Sequence, residues 1–148
     1  MSVNQLQVGS TYALETMNFH VGVLNKATTG TLDVVYSLAT AGTLNVKGYV
    51  APWAGSIVGV SGNLSDTPAA GTLTLYPIIN GVRANLSAGS TRGGVIKQTL
   101  YAKQDARVDS FSEGDTLGIV YETHSGLDPD DELDGVFQLH VLYEEIRY

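Results

Sequence analysis

The part of the sequence best equipped for chemistry is an acidic run, Leu127-Asp128-Pro129-Asp130-Asp131-Glu132-Leu133-Asp134-Gly135. It places five carboxylates within seven residues. Hard oxygen ligands at alternating positions suit a calcium ion. Asp128, Asp130, Glu132 and Asp134 are the candidate ligands, and Asp130, Glu132, Asp134 and Gly135 resemble the front of a calcium loop. Val141 stands where such a loop would carry its closing glutamate. The simpler reading is a solvated loop whose charge keeps strand edges from pairing with other chains. On that reading no metal and no other cofactor is expected.

The remaining reactive side chains are dispersed. The histidines are His20, His124 and His140, with no two close enough for a local metal motif. The chain has no cysteine, so thiolate sites and disulfides are excluded. Gly59-Val60-Ser61-Gly62-Asn63 approaches a nucleophile elbow, but Asn63 replaces the second glycine of G-x-S-x-G. Lys47-Gly48 lacks the upstream glycines of a phosphate loop, and no G-x-G-x-x-G is present. Two N-x-S sequons, at Asn63 and Asn85, carry little weight without a secretory signal. Trp53 could offer a stacking platform; packing half-buried over the end of a barrel is the plainer role. No enzyme is expected from this inventory.

The elements that hold these residues are legible from composition. At 148 residues the chain suits one domain, and a domain of this size buries roughly 70% of its unfolded surface. Apolar residues make up 43% and charged residues 16%, a balance opposite to that of disordered chains. The net charge of −7, with no basic patch, argues against a nucleic-acid partner. No apolar run approaches the roughly 18 residues of a membrane span. The first ten residues lack the features of a secretory signal.

Periodicity points to strands. In residues 71–79, Leu73, Leu75, Pro77 and Ile79 share one face, with Thr72, Thr74 and Tyr76 on the other. Pro77 marks an edge or a bulge, because it cannot donate to a ladder. Asn80-Gly81 then signals a hairpin, with residues 82–86 returning. Phe137, Leu139, Val141 and Tyr143 alternate with Gln138, His140 and Glu144 in a terminal strand. Residues 115–123 repeat the pattern with Leu117, Ile119 and Tyr121 inward. Further strands are expected at 31–37, 43–50, 56–62 and 94–102. The expectation is an all-β, jelly-roll-like β-sandwich or barrel of about eight antiparallel strands over residues 31–148. Residues 1–30 form either an arm lying against a partner or a first strand and loop.

A short pattern recurs as ATTGTLDV at 27–34, ATAGTLNV at 39–46 and PAAGTLTL at 68–75. Unequal spacing excludes a solenoid. Its simplest meaning is one turn-then-strand solution used three times, with glycine making the bend.

Three blocks carry a family resemblance. They are Ala51-Pro52-Trp53-Ala54-Gly55-Ser56-Ile57-Val58-Gly59-Val60, then Ala70-Gly71-Thr72-Leu73-Thr74 closing at Asn80-Gly81, then Phe111-Ser112-Glu113-Gly114-Asp115-Thr116-Leu117-Gly118-Ile119. They resemble blocks that recur in capsid decoration proteins and head fibres of tailed bacteriophages. The chain is also distantly similar to trimeric jelly rolls of the complement-globular-head and tumour-necrosis-factor type. The resemblance covers residues 43–148, and its motifs are turns rather than catalytic groups.

The resemblance implies a structural virion protein, made in the host cytoplasm, that binds the outer capsid surface and stabilises the head. Its implied partners are the major capsid protein and two further copies in a homotrimer. It implies a threefold contact through Tyr121, Leu139, Val141 and Tyr143. Capsid contact falls on the N-terminal segment, through Val3, Leu6, Val8, Tyr12, Leu14 and Phe19. Deleting residues 1–24 is then expected to abolish capsid binding and leave the barrel folded. The alternative is a head or tail fibre module that recognises a host-surface glycan, with Trp53, Tyr49, Tyr76 and Tyr101 as stacking faces.

Overall fold

The computed structural model describes residues 11–21, 29–31, 48–128 and 135–146, and among them the chain is all strand and loop, without a helix. In chain order the strands are β1 (Thr11–Val21), β2 (Thr29–Thr31), β3 (Tyr49–Val50), β4 (Gly55–Leu64), β5 (Ala70–Ile79), β6 (Val82–Arg83) and β7 (Ala88–Gly89). They continue with β8 (Thr91–Arg92), β9 (Val95–Ile96), β10 (Thr99–Lys103), β11 (Asp109–Phe111), β12 (Thr116–Asp128) and β13 (Gly135–Ile146).

Pairing follows one rule. The first strand lies against the last; β2 and β3 lie against β12; β4 takes β10 and β11; β5 takes β6 and β7. Every one of these ladders is antiparallel. This is a long hairpin rolled up on itself, the jelly roll. One sheet runs β1-β13-β4-β10, with β11 also on β4. The other runs β2-β12-β5-β6, with β3 on β12 and β7 on β5. Merging the interrupted strands leaves eight ladder positions, the number expected from the sequence. A small β8-β9 ribbon is added.

The core lies between the sheets. Met17, Ile57, Val60, Leu100, Phe137, Leu139 and Val141 come from the first sheet, and Leu73, Leu75, Leu117, Ile119 and Tyr121 from the second. The alternation read in residues 71–79 and 137–143 is the alternation that fills this layer. A bulge keeps it in phase: between His140 and Val141 the β13–β4 register skips Val58, so Ile57 and Val60 both point inward.

The turns obey local chemistry. Asn80 and Gly81 both take positive φ, 51° and 81°, as a type I′ hairpin requires. Pro77 sits where the far flank of β5 is broken: β7 pairs at Thr74 and Leu75, β6 at Ile78 and Ile79. Its carbonyl accepts the Ala84 N–H at 2.8 Å in that gap. In a strand the N–H side of a residue follows its C=O side, so the missing donor falls where no ladder needs it. The third copy of the recurring pattern opens β5 at Gly71, with φ +78°. A Cβ there would stand 2.6 Å from the Leu127 backbone, so only glycine fits the bend.

Some boundaries differ from the sequence reading. Residues 94–102 are two short strands, broken where Lys97 N–H bonds the Ser90 carbonyl instead of a ladder. The described part of the 43–50 stretch contributes only β3, and that of 31–37 only Thr31. β7, β8 and β11 were not foreseen; each is two or three residues long, too short for alternation to register. Residues 11–21 are a full strand in the first sheet, with Met17 in the core. The expectation that deleting residues 1–24 spares the barrel is therefore corrected: that deletion removes a sheet strand.

Candidate functional site

The outward face of the first sheet carries a side-chain network. The register aligns Asn18, Gln138, Ser61 and Tyr101 in one row across β1, β13, β4 and β10. The next row holds Thr16, His140, Gly59 and Lys103. Gln138 Nε2 donates to Asn18 Oδ1 at 3.1 Å, and Ser61 Oγ donates to Gln138 Oε1 at 3.4 Å. Ser61 Oγ lies 2.9 Å from His140 Nε2, and His140 Nδ1 lies 3.2 Å from Thr16 Oγ1. His140 thus faces outward, as its place in the alternation indicated.

A serine–histidine contact invites a test for nucleophilic chemistry. The third position holds the Thr16 hydroxyl rather than a carboxylate. Ser61 lies inside β4, opposite both Gln138 and Tyr101, rather than on a strand-to-helix turn. Backbone N–H groups there serve the ladders and are not gathered toward one point, as an oxyanion site needs. What the arrangement does chemically is clamp three strands together.

The second sheet has its own outward cluster. The Arg83 guanidinium lies 4.2 Å from the Tyr76 ring centre and bonds Glu122 Oε2 at 3.1 Å. His124 Nε2 is 3.2 Å from the other Glu122 oxygen. The Arg83 hydrogen bond leads in holding the Glu122 carboxyl below its ordinary value, with partial desolvation opposing it. Tyr76 is therefore already stacked upon, which removes one aromatic face from the glycan alternative.

A buried node joins the loops. Asp109, 6% exposed, accepts from the Asn85 N–H at 2.9 Å, the Asn85 side chain at 2.8 Å, the Leu86 N–H at 3.2 Å and Gln104 Nε2 at 2.8 Å. Gln104 Nε2 also donates to the Ile57 carbonyl at 2.8 Å. Burial alone would push the Asp109 carboxyl up; these donors together outweigh it and hold it below the ordinary value. Sequence reading missed both residues, because only the rolled topology brings residues 85, 104 and 109 together. Asp115 closes its own turn: its carboxylate accepts the Ser112 N–H at 2.8 Å.

The residues singled out from the sequence are placed as follows. Tyr121, Leu139, Val141 and Tyr143 are 5%, 0%, 0% and 3% exposed and belong to the core of their own chain, Tyr143 with Phe111 edge-on at 6.0 Å. Leu14 is 73% exposed on β1. Tyr12 and Phe19 belong to β1, and their side chains lie outside the described residues, as do Val3, Leu6 and Val8. Asp128 ends β12; Asp130, Glu132 and Asp134 lie outside the described residues. Among the described residues no group of three or more histidines and carboxylates could hold a metal. Trp53, 37% exposed, packs edge-on against Tyr143 at 5.5 Å, the packing role over the end of the sandwich.

The three blocks that carry the family resemblance meet in space. Ala51 N–H bonds the Asp115 carbonyl at 2.8 Å, and Gly114 N–H returns to the Ala51 carbonyl at 2.7 Å. Asn80 N–H bonds the Thr116 carbonyl at 2.8 Å, and Asn80 Oδ1 accepts the Thr116 N–H at 3.0 Å.

No protein-family model matches the chain, and no curated protein matches it. Among solved structures, the chain is similar to one from the acidic stable capsid structure of Helicobacter pylori bacteriophage KHP30. The identity is 13% and the TM-score 0.45, over 94% of this chain and 99% of that one.

Proposed function

We propose that the chain is a structural virion protein of a tailed bacteriophage, a decoration protein that binds the outer capsid surface as a trimer and stabilises the head. The observation that supports this reading is the meeting of the three resemblance blocks. Residues 51–60, 70–81 and 111–119 are joined by backbone hydrogen bonds at one end of the sandwich, so the resemblance falls on one structural frame rather than on scattered words. The described reactive side chains fit a structural role as well. Asp109, Ser61, His140 and Glu122 are each engaged in bonds that tie strands or loops together.

In this reading the partner is the major capsid protein, and the exposed β1 residues, Leu14 among them, take part in attachment. Contacts between copies fall on exposed residues, since Tyr121, Leu139, Val141 and Tyr143 fill the protomer's own core. The test is made on particles of the virus that encodes the chain. Quantitative mass spectrometry and cryo-electron microscopy are expected to find it on the shell, at a copy number matching the capsid lattice. Particles stripped of it should rupture at lower temperature and recover on re-addition. Location at a tail or fibre tip, in a handful of copies, overturns the decoration reading in favour of host recognition.

A further inference from the structure

We infer that Asn80 is a self-modification site: the Gly81 backbone nitrogen attacks the Asn80 side-chain amide, expels ammonia and leaves aspartate or isoaspartate in the turn. Asn80-Gly81 is the one Asn-Gly pair in the sequence; the other six asparagines precede Gln, Phe, Lys, Val or Leu. Glycine leaves its nitrogen unshielded, and no heavy atom lies within 4 Å of where a Gly81 Cβ would stand. Both residues are exposed. The Ile79–Val82 pair closes the ladder around them, and the Thr116 carbonyl takes the Asn80 N–H at 2.8 Å. Among the described residues none takes the Gly81 N–H.

Thr116 primes the amide. Its N–H donates to Asn80 Oδ1 at 3.0 Å and its hydroxyl at 3.3 Å. Only the oxygen of an amide accepts an N–H, so the nitrogen that must leave is turned away from Thr116. Negative charge collects on Oδ1 as the carbon is attacked, and two donors already aimed at that oxygen stabilise it. The step needs only water. Hydroxide takes the Gly81 N–H proton, an N–Cγ bond forms, and the Cγ–Nδ2 bond breaks, ammonia carrying off a proton from water. Water then opens the cyclic imide at Cγ, giving aspartate, or at the Asn80 backbone carbonyl, giving isoaspartate. Nothing is oxidised or reduced. The product changes the joint where residues 51–60, 70–81 and 111–119 meet. The Ser112 N–H, and after it the Asn80 side chain, hold the Asp115 carboxyl below its ordinary value. Deamidation exchanges that amide for a second carboxylate, and like charges repel. Isoaspartate also lengthens the backbone inside a two-residue turn.

The test keeps the full chain in mildly alkaline buffer, digests it at intervals and follows amide loss at each asparagine by mass spectrometry. Conversion is expected at Asn80 well ahead of Asn18, Asn63 and Asn85, with isoaspartate among the products, and at least as fast in the folded chain as in urea. Thr116→Val removes the hydroxyl and keeps the N–H. It should slow conversion several-fold in the folded chain and leave the rate in urea unchanged. Asn80→Asp, which copies one product, should melt below the parent at neutral pH. An amide that survives in the folded chain while it is lost in urea overturns the proposal, as does a folded Thr116→Val that converts as fast as the parent. An unchanged melting midpoint for Asn80→Asp overturns the effect on the joint. These readouts need no virion, so an inert Asn80 leaves the capsid reading standing, and absence from particles leaves this site standing.

Discussion

Asp109 holds the backbone N–H groups of Asn85 and Leu86. Replacing it with alanine leaves the Asn85 and Leu86 N–H groups without their acceptor and takes one of the two acceptors of the Gln104 amide. A buried donor left unpaired costs about 1–3 kcal/mol, and Asp109→Ala should lower stability by at least that in urea denaturation. The folded carboxyl titrates below its ordinary value, so the unfolded chain binds the extra proton. Its stabilisation is therefore complete above the unfolded value, 3.8, and is lost as pH falls through the lower folded value. Urea midpoints measured from pH 6 down to pH 2 should fall steeply below about pH 4, and the fall should be shallower in Asp109→Asn. Gly71→Ala tests the bend that opens β5. Left-handed backbone costs a non-glycine residue about 1–2 kcal/mol, and the backbone contact at Leu127 adds to it. Thermal unfolding should show a loss of at least that size, whereas Gly81→Ala, with open space around its Cβ position, should lose only the backbone part. Residues like Gly71 and Asn80 were legible because their work is local. Asp109 and the Ser61–His140 contact were not, because their partners are fixed by strand order.

At the scale of elements, alternation named the long strands correctly because each buries one face against the opposite sheet. It was silent where a ladder is two or three residues long, as in β7 and β11. It also left the first segment open between arm and strand, since β1 buries few side chains; Met17 is the buried one among those described. Deletion of residues 1–24 would uncover one flank of β13 over ten register pairs. The truncated chain is expected to aggregate or to melt well below the intact one, measured by circular dichroism and light scattering. The acidic loop belongs to the same scale. If it is purely solvating, chelator and calcium should both leave the melting temperature unchanged; a rise with calcium would establish binding.

For the whole molecule, the all-β jelly roll follows from composition and period, whereas assembly does not. Apolar faces in the sequence said that Leu139, Val141 and Tyr143 must be covered. They did not say whether from within the chain or by a second chain, and in the structure the chain's own core covers them. Light scattering behind gel filtration addresses the assembly directly. A trimer has a mass of about 47 kDa, three times 15.7 kDa. A single-chain mass in solution would confine threefold packing to the shell surface.

The pairing of first strand with last has a consequence for how the chain is made. β13 lies between β1 and β4, and it is made after every other described strand. Until it emerges, the first sheet lacks the strand that joins its two halves, and both β1 and β4 wait with open sides. Folding dominated by such distant pairings is slow, in milliseconds to seconds, and exposes apolar strands while it waits. The nascent chain thus has its greatest need of chaperone protection just before β13 emerges.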